Sequence, residues 1–565
     1  MKKLFILMLA VLAIASCSND DNVINGSSDG NGGTNTSYMA VNLMSSDITG
    51  TRAASGYEDG NETENKVTKV RFYFFNGVGG AVSVKMLNGG YVNYYDWVNP
   101  VDDDQQTGGT NNDDDIESKL NPIIVINTKE GDKIPQMMVA VLNPTDDLGS
   151  ESKSLSQLND GIARDYVKGL TEKGKFVMAN SVYEKNGAEI SAVPIEAKHL
   201  QKTADAAKNN AVTIYVERNV AKVKVGLGDD VKVAADDNGK LALKDKDDNE
   251  LKVGGKQVYL KLGGWSLTAE TAEGRLVKKI NPKWTGDWWK SSAQPYRCFW
   301  AINAMTTTNK NIYNNYNNIG TKFSTTSYTN ENAQLKDLNG VDGVVKNHTK
   351  VILKGMLCDE TGAPFTIVRH LGVHFADEAS DNEADNLKEL KKSILSQLSA
   401  NGYNYYSGDA TSRSKIAPED LKIVITSQIE NEDSKNNCYV YAQLSDAAEK
   451  KTWYTSGDIS KTETVAFGVI NGKLADKTVV DRALVWKNGM TYYYYVIKHL
   501  GNQEGVVRNH IYDTTVTKIA GLGTPVYDPG EVIYPEKPDE NDHYIAAQIN
   551  ILSWRLVKNN YELKW

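Results

Sequence analysis

Short runs in which apolar and polar residues alternate, separated by turn-forming residues, recur along most of this chain and constrain its fold more than any other feature. A first block has such runs at Val67 to Phe75, Asn121 to Asn127, Met137 to Leu142, Phe176 to Tyr183 and Val212 to Val216. A second block begins after Val216, with candidates at Gln257 to Leu262, Tyr296 to Ala301, Val351 to Leu357, Phe365 to Phe375 and Leu421 to Thr426. It continues with Cys438 to Gln443, Val465 to Ile470, Thr491 to Ile497 and Arg508 to Ile519. Helical spacing occurs at Leu155, Leu158, Ile162 and Tyr166, and again at Leu387, Leu390, Ile394 and Leu398. In the latter, Asp385 is placed to cap the start and Gly402 follows the end. Many short strands with few helices mean an all-β protein of sandwiches rather than a βαβ fold. A length of 565 residues makes two domains the natural division.

The two ends carry related patterns. Near the start, Met39, Val41 and Leu43 share one face of an extended segment; near the end, Ile545, Ala547, Ile549 and Ile551 do the same. Pro525, Pro529, Pro535 and Pro538, four of the 13 prolines, precede the second run. Such a segment is an extended spacer that holds the last strand away from its own body. That strand then needs a groove elsewhere, and another molecule can supply one.

Before the first run, Met1-Lys2-Lys3 and the apolar Leu4 to Ala15 form a secretory signal too short to span a bilayer comfortably. Ile14-Ala15-Ser16-Cys17 has the form of a bacterial lipobox, which would place a lipid on Cys17 and tether the precursor to a membrane face. Ser18 to Thr36 is a polar leash. Thr49 to Gly56 is a small-residue loop whose one basic residue is Arg52, an exposed place for proteolysis before Ala53. Asp102 to Glu117, Ala234 to Glu250 and Asn309 to Asn318 read as solvated loops.

Composition narrows the function. The formal charge is −9 with no basic block, which argues against nucleic acid. Cys298, Cys358 and Cys438 lie in apolar, strand-like surroundings, free or with one pair among them. Gly26-Ser27-Ser28-Asp29-Gly30 matches a nucleophile motif but lies in the leash, without a base or an oxyanion hole. Gly169 to Lys175 spells a phosphate-loop pattern, yet Phe176 replaces the hydroxyl residue and no helix is expected after it. His370 and His374 have helical ligand spacing within an expected strand, where they stand too far apart for one metal ion, so a structural role is expected. Trp284, Trp288 and Trp289 suit sugar binding or core packing. No enzyme, cofactor or metal is expected.

At Val216-Glu-Arg-Asn-Val-Ala-Lys-Val223 the sequence resembles the Bacteroidales fimbrillins, the type V pilins, nearest the branch of the minor-fimbrium shaft subunit. Tyr38 to Leu43, Val139 to Asn143, Val506-Val-Arg-Asn-His-Ile-Tyr512, Leu552-Ser-Trp554 and the lipobox carry the same resemblance. It implies two transthyretin-like β-sandwich domains in tandem and a C-terminal donor strand. The boundaries expected are 1–17 for the signal, 18–52 for the leash and removable strand, and 53–216 and 217–523 for the sandwiches. Residues 524–565 are the spacer and donor strand. The resemblance implies cleavage near Arg52 and polymerisation by strand exchange into a cell-surface fimbrium serving adhesion and biofilm formation. The partners implied are other copies, tip and anchor pilins, the outer membrane through the precursor's lipid, and ligands on host or bacterial surfaces. Rival readings are a surface-anchored glycan-binding lipoprotein and a tip or anchor pilin of the same family.

Overall fold

The structure is a computed structural model, and it describes residues 34–46, 60–86, 90–99, 116–129, 133–185, 188–245, 247–279, 296–297, 301, 304, 311–333, 348–426, 439–499, 504–535, 543–552 and 557–560. Its first part is organised on a sheet of β1 (Thr34–Ser46), β2 (Lys69–Phe75), β3 (Tyr94–Val98), β4 (Ile116–Leu120), β5 (Ile123–Lys129), β6 (Met137–Leu142), β7 (Met178–Asn180) and β8 (Val212–Arg218). The order is β3-β2-β6-β7-β8-β1-β4, with β5 also pairing β1. Phe72, Phe74, Val139, Val141 and Ile214 are fully buried in one core with Met39 and Val41. β4 begins inside the stretch expected to be a solvated loop: Ile116 and Glu117 belong to a strand because Ser46 pairs with Ile116. The single helix expected over Leu155 to Tyr166 is two, α1 (Leu155–Asp160) and α2 (Tyr166–Lys173), since Gly161 ends the first and Ala163–Arg164 is extended.

The second part is a two-layer sandwich. One layer orders β11 (Thr326–Asn330), β9 (Val220–Leu227), β19 (Ile511–Gly521), β21 (His543–Leu552) and β22 (Val557–Asn560) side by side. The other layer is built on β10 (Tyr259–Thr268), β12 (Lys350–Cys358), β18 (Met490–Val496) and β20 (Thr524–Pro525). Val223, Val225, Tyr512 and Val516 of the first layer share a core with Leu260, Trp265, Leu353 and Tyr493 of the second. Cys358 is buried and free, while Cys298 and Cys438 lie outside the described residues.

An additional sheet rides on this sandwich. It orders β14 (Val373–Asp377), β13 (Thr366–His370), β17 (Ala483–Trp486), β16 (Tyr439–Leu444) and β15 (Leu421–Ile425). It packs α4 (Lys388–Ala400) and α5 (Phe467–Ala475) around a core of its own. The long strand expected over Phe365 to Phe375 is a hairpin here, because Leu371 and Gly372 both take positive φ, the turn that matches strand twist. The strand expected at Val465 to Ile470 gives way to α5 after Val465: Ile470 and Leu474, one helical turn apart, are the buried pair. Leu387, Leu390, Ile394 and Leu398 bury as the helical spacing predicts. The cap differs: Asp377 of β14, not Asp385, accepts from the Glu389 and Leu390 amides at 3.3 and 2.8 Å.

As far as Pro535 the proline-rich segment is docked on the sandwich, and residues 536–542 lie outside the described residues. Val526 and Ile533 are buried against Tyr316, Ile319, Ile352 and Tyr492, and the Ile533 amide donates to the Asn314 carbonyl at 2.8 Å. Asn309 to Asn318 is for the same reason not simply an exposed loop: buried Tyr316 donates its hydroxyl hydrogen to the Gly355 carbonyl at 2.7 Å.

Candidate functional site

The site of interest is the seat of β1. Thr34 to Ala40 pair antiparallel with β5, from Thr34 opposite Lys129 to Ala40 opposite Ile123. Val41 to Met44 then run parallel to Val212 to Tyr215 of β8, while Leu43 to Ser46 pair antiparallel with β4. The Tyr38 amide donates to the Gln201 carbonyl at 2.7 Å and the Gln201 amide returns a bond at 2.9 Å. Alternation does the rest, because Met39, Val41 and Leu43 point together into the core and are 0, 0 and 2 % exposed. Each such side chain contributes about 1.5–3 kcal/mol of burial. Taking β1 away would uncover apolar core and leave unpaired backbone on β8, β4 and β5.

β21, the strand expected to be the donor, is seated in the second sandwich. The sequence reading left it without a partner in its own chain; the structure pairs β21 antiparallel with β19, from Ile511 opposite Leu552 to Gly521 opposite His543, with an irregularity between Val516 and Lys518. Within that ladder Ile545, Ala547, Ile549 and Ile551 stand opposite Ile519, Val516, Thr514 and Tyr512. Its other edge pairs Gln548 to Ile551 with β22. Pro525, Pro529 and Pro535 belong to a stretch docked on the sandwich, while residues 536–542, with Pro538, lie outside the described residues.

Between the two seats lies a buried polar junction that was not foreseen as a working unit. β8 leaves the first sandwich at Arg218, and β9 begins the second at Val220. The Arg218 amide donates to Asn509 Oδ1 at 3.2 Å, and the Asn509 amide to the Val220 carbonyl at 2.8 Å. Arg218 also donates Nε–H to the Glu64 carbonyl at 2.9 Å and an Nη2 hydrogen to Asn65. Lys222 Nζ lies 2.9 Å from Glu64 Oε1, and Tyr328 donates its hydroxyl hydrogen to the same oxygen at 2.5 Å. Burial alone would raise the Glu64 carboxyl; the Tyr328 hydroxyl and the Lys222 ammonium outweigh it and hold the group below the usual carboxylate range. Lys278 with Glu217 at 3.0 Å, and Arg508 with Glu331 at 3.1 Å, are further buried pairs. Ions this deep persist only when partnered. The signal for this junction was in view as the two motifs around Arg218 and Arg508, which the fold brings side by side.

The remaining candidates fall as follows. Cys17, Arg52 and Ala53, the leash motif at Gly26 to Gly30, and Trp284, Trp288 and Trp289 lie outside the described residues. Gly169 to Lys175 is the end of α2 and its Gly174 cap, which offers no phosphate cradle. His370 and His374 sit on neighbouring strands of the hairpin. His370 is buried between Ser393 Oγ at 2.8 Å and the Asp481 carbonyl at 3.2 Å, while the His374 ring lies 5.9 Å from that of Trp486. Burial pushes His370 below the ordinary histidine range. Among the described residues no group of three or more His, Cys, Asp or Glu is arranged to hold a metal, and no helix is long and apolar enough to cross a membrane.

Residues 485–560 match the family model of the major fimbrial subunit protein type IV, fimbrillin, C-terminal. The span takes in β18 to β22 and Arg508, and over it the chain is similar to the fimbrillins, in line with the resemblance read from the sequence. No curated protein matches the chain. Among solved structures, a fimbrilin of Porphyromonas gingivalis W83 is 12% identical over 90% of this chain and 96% of that chain, with a TM-score of 0.31. The tip fimbrial protein Mfa3 of Porphyromonas gingivalis is 10% identical over 92% of this chain and 100% of that chain, with a TM-score of 0.30. A fimbrial assembly protein of Parabacteroides distasonis ATCC 8503 is 10% identical over 58% of this chain and 87% of that chain, with a TM-score of 0.27.

Proposed function

We propose that this chain is a non-enzymatic shaft subunit of a surface fimbria that polymerises by strand exchange. It is exported as a lipoprotein carried on Cys17 and anchored in the outer membrane, then cut between Arg52 and Ala53. β1 departs with the cut piece, and β21 of another copy enters the vacated groove with Ile545, Ala547, Ile549 and Ile551 on the buried face. Tip and anchor pilins complete the fibre, whose role is adhesion and biofilm formation. The observation that carries this reading is that β1, the first described element, is wedged between strands on both sides while its side chains complete a core. A strand of matching alternation ends the same chain. The pairing with β19 is then the resting seat of the donor before assembly.

The register supports a direction of entry. β1 makes seven antiparallel pairs with β5 and four with β4, against four parallel pairs with β8. An incoming strand that runs the same way keeps the more stable antiparallel majority. β1 spans 13 residues and β21 ten, so filling the whole groove also draws on chain beyond Leu552. The test is N-terminal sequencing of fibres sheared from cells, with a start at Ala53 expected. Fibres that begin at Cys17 would overturn the reading.

A further inference from the structure

The rim where β1 begins has a charge that matches what arrives there. Gln201, bonded to Tyr38 through both backbone groups, is followed by Lys202, one step toward the start of the strand. Lys198, Lys202 and Lys208 are all exposed, and Lys129 stands opposite Thr34 at the strand's first position. Helix α3 (Ala204–Lys208), which carries Lys208, packs against β1 and β5. Glu196, 2.7 Å from Lys198, and Asp205, 3.0 Å from Lys208, offset part of this charge. Lys202 has no carboxylate partner among the described residues.

The two segments that lead into the two candidate occupants of this groove are both acidic. In residues 18–33, ahead of β1, Asp20, Asp21 and Asp29 are the only charges, a net of −3. In residues 536–542, ahead of β21, Glu536, Asp539, Glu540 and Asp542 against Lys537 also give −3. Entry in the direction of β1 brings the second segment to the place the first one held. The segment is short: seven residues extended reach about 25 Å at most from the docked Tyr534–Pro535, so it cannot stray far from the rim it crosses.

We infer that the lysine rim at the mouth of the β1 groove, Lys198, Lys202 and Lys208, is a docking surface for the acidic tether of another copy of this chain. The inference rests on the strand-exchange reading. The rim steers the tether to the groove and sets the direction of the strand that follows, as complementary rim charges set association rate more than final affinity.

The experiment follows assembly of purified full-length precursor after cleavage at Arg52, by light scattering at low and high salt. The combined change Lys198→Glu, Lys202→Glu and Lys208→Glu should slow growth roughly tenfold at low salt and much less at high salt. Reversing the tether, with Asp539→Lys and Glu540→Lys, should slow it similarly. Mixing the reversed rim with the reversed tether in one protein should restore the rate. An unchanged rate in the first variant with unaltered Tm, or failure of the combined variant to recover, overturns the inference. Deleting residues 543–565 separates the two claims: growth that survives this deletion overturns strand exchange itself, whereas growth lost here but indifferent to the rim overturns only the docking surface.

Discussion

β1 and β21 present the same alternation of apolar residues, yet the molecule holds them in opposite ways. β1 is gripped along both edges by β5, β4 and β8, and Met39, Val41 and Leu43 sit in the centre of the first core. β21 is an addition to the second sandwich: its long ladder is to β19 alone, and its other edge meets only the four-residue β22. Tyr512, Val516 and Ile519 of β19, its ladder partner, pack with Trp265, Leu353 and Tyr493 of the facing sheet. Removing β1 therefore leaves unpaired backbone on both sides of a gap, whereas removing β21 leaves β19 without its partner along one edge. Under the proposed exchange, the donor would leave a single long ladder for a groove with strands on both sides.

The largest expected effects break this comparison outright. Retaining β1 by Arg52→Ala, or deleting the chain from Asp542 onward, should each abolish polymer on gels of surface extracts. The two variants should differ in fold: the first keeps full stability, and the second stays folded with a newly exposed β19 edge. A chain that unfolds on the deletion would show that β21 is integral to the second core.

Next in size are point changes along the donor. Ile549→Asp should reduce polymer by several orders of magnitude, because an unpaired carboxylate in an apolar groove costs several kcal/mol. Gln548→Asp should do far less. Equal losses would mean that both faces are enclosed, and a reversed order would mean a shift of register by one residue, which exchanges the faces.

A smaller effect concerns Glu64 at the junction. Because its carboxyl is held below the ordinary range in the folded protein, its contribution is fully present above the unfolded carboxylate pKa near 4.5 and is lost as pH falls through the lower folded value. Thermal melts of the precursor against pH should therefore show an acid decline that Glu64→Gln flattens. An unchanged decline would assign it to other carboxylates. The smallest effect is expected from His370→Gln with His374→Gln, which should leave the polymer unchanged and no zinc to lose by elemental analysis. Stoichiometric zinc that disappears in this variant would contradict the structural role.

The sequence was most informative where one element carries its own evidence. Met137–Leu142 runs to the expected boundaries, and the buried face of α4 follows from residue spacing alone. The face of β1 was legible for the same reason, since alternation is a local property. What alternation does not encode is the partner. Nothing near Leu387 announces that Asp377, on a strand before it, supplies the amide cap. Nothing near Ile533 announces that Tyr316 and Ile352 will bury it. The stretch after Val465 failed differently, because a short apolar run fits strand and helix alike until its neighbours are placed. The charged residues of the junction look like ordinary surface groups in the sequence. Only the adjacency of β9 and β19 shows Arg218 and Asn509 as one arrangement.

That junction has a mechanical meaning. In a row of copies joined as proposed, a pull enters each subunit at the groove of its first sandwich and leaves through the tether of its second. It must cross where β8 becomes β9. There the chain turns over at Asn219 while Arg218 holds Glu64, Asn65 and Asn509 at once. β9 and β19 run parallel, with Lys222 opposite Ile511 and Leu227 opposite Val516. Force along these strands loads their hydrogen bonds together, in shear, rather than opening them one after another. A fibre built this way would pass the pull of flow through these contacts in every subunit.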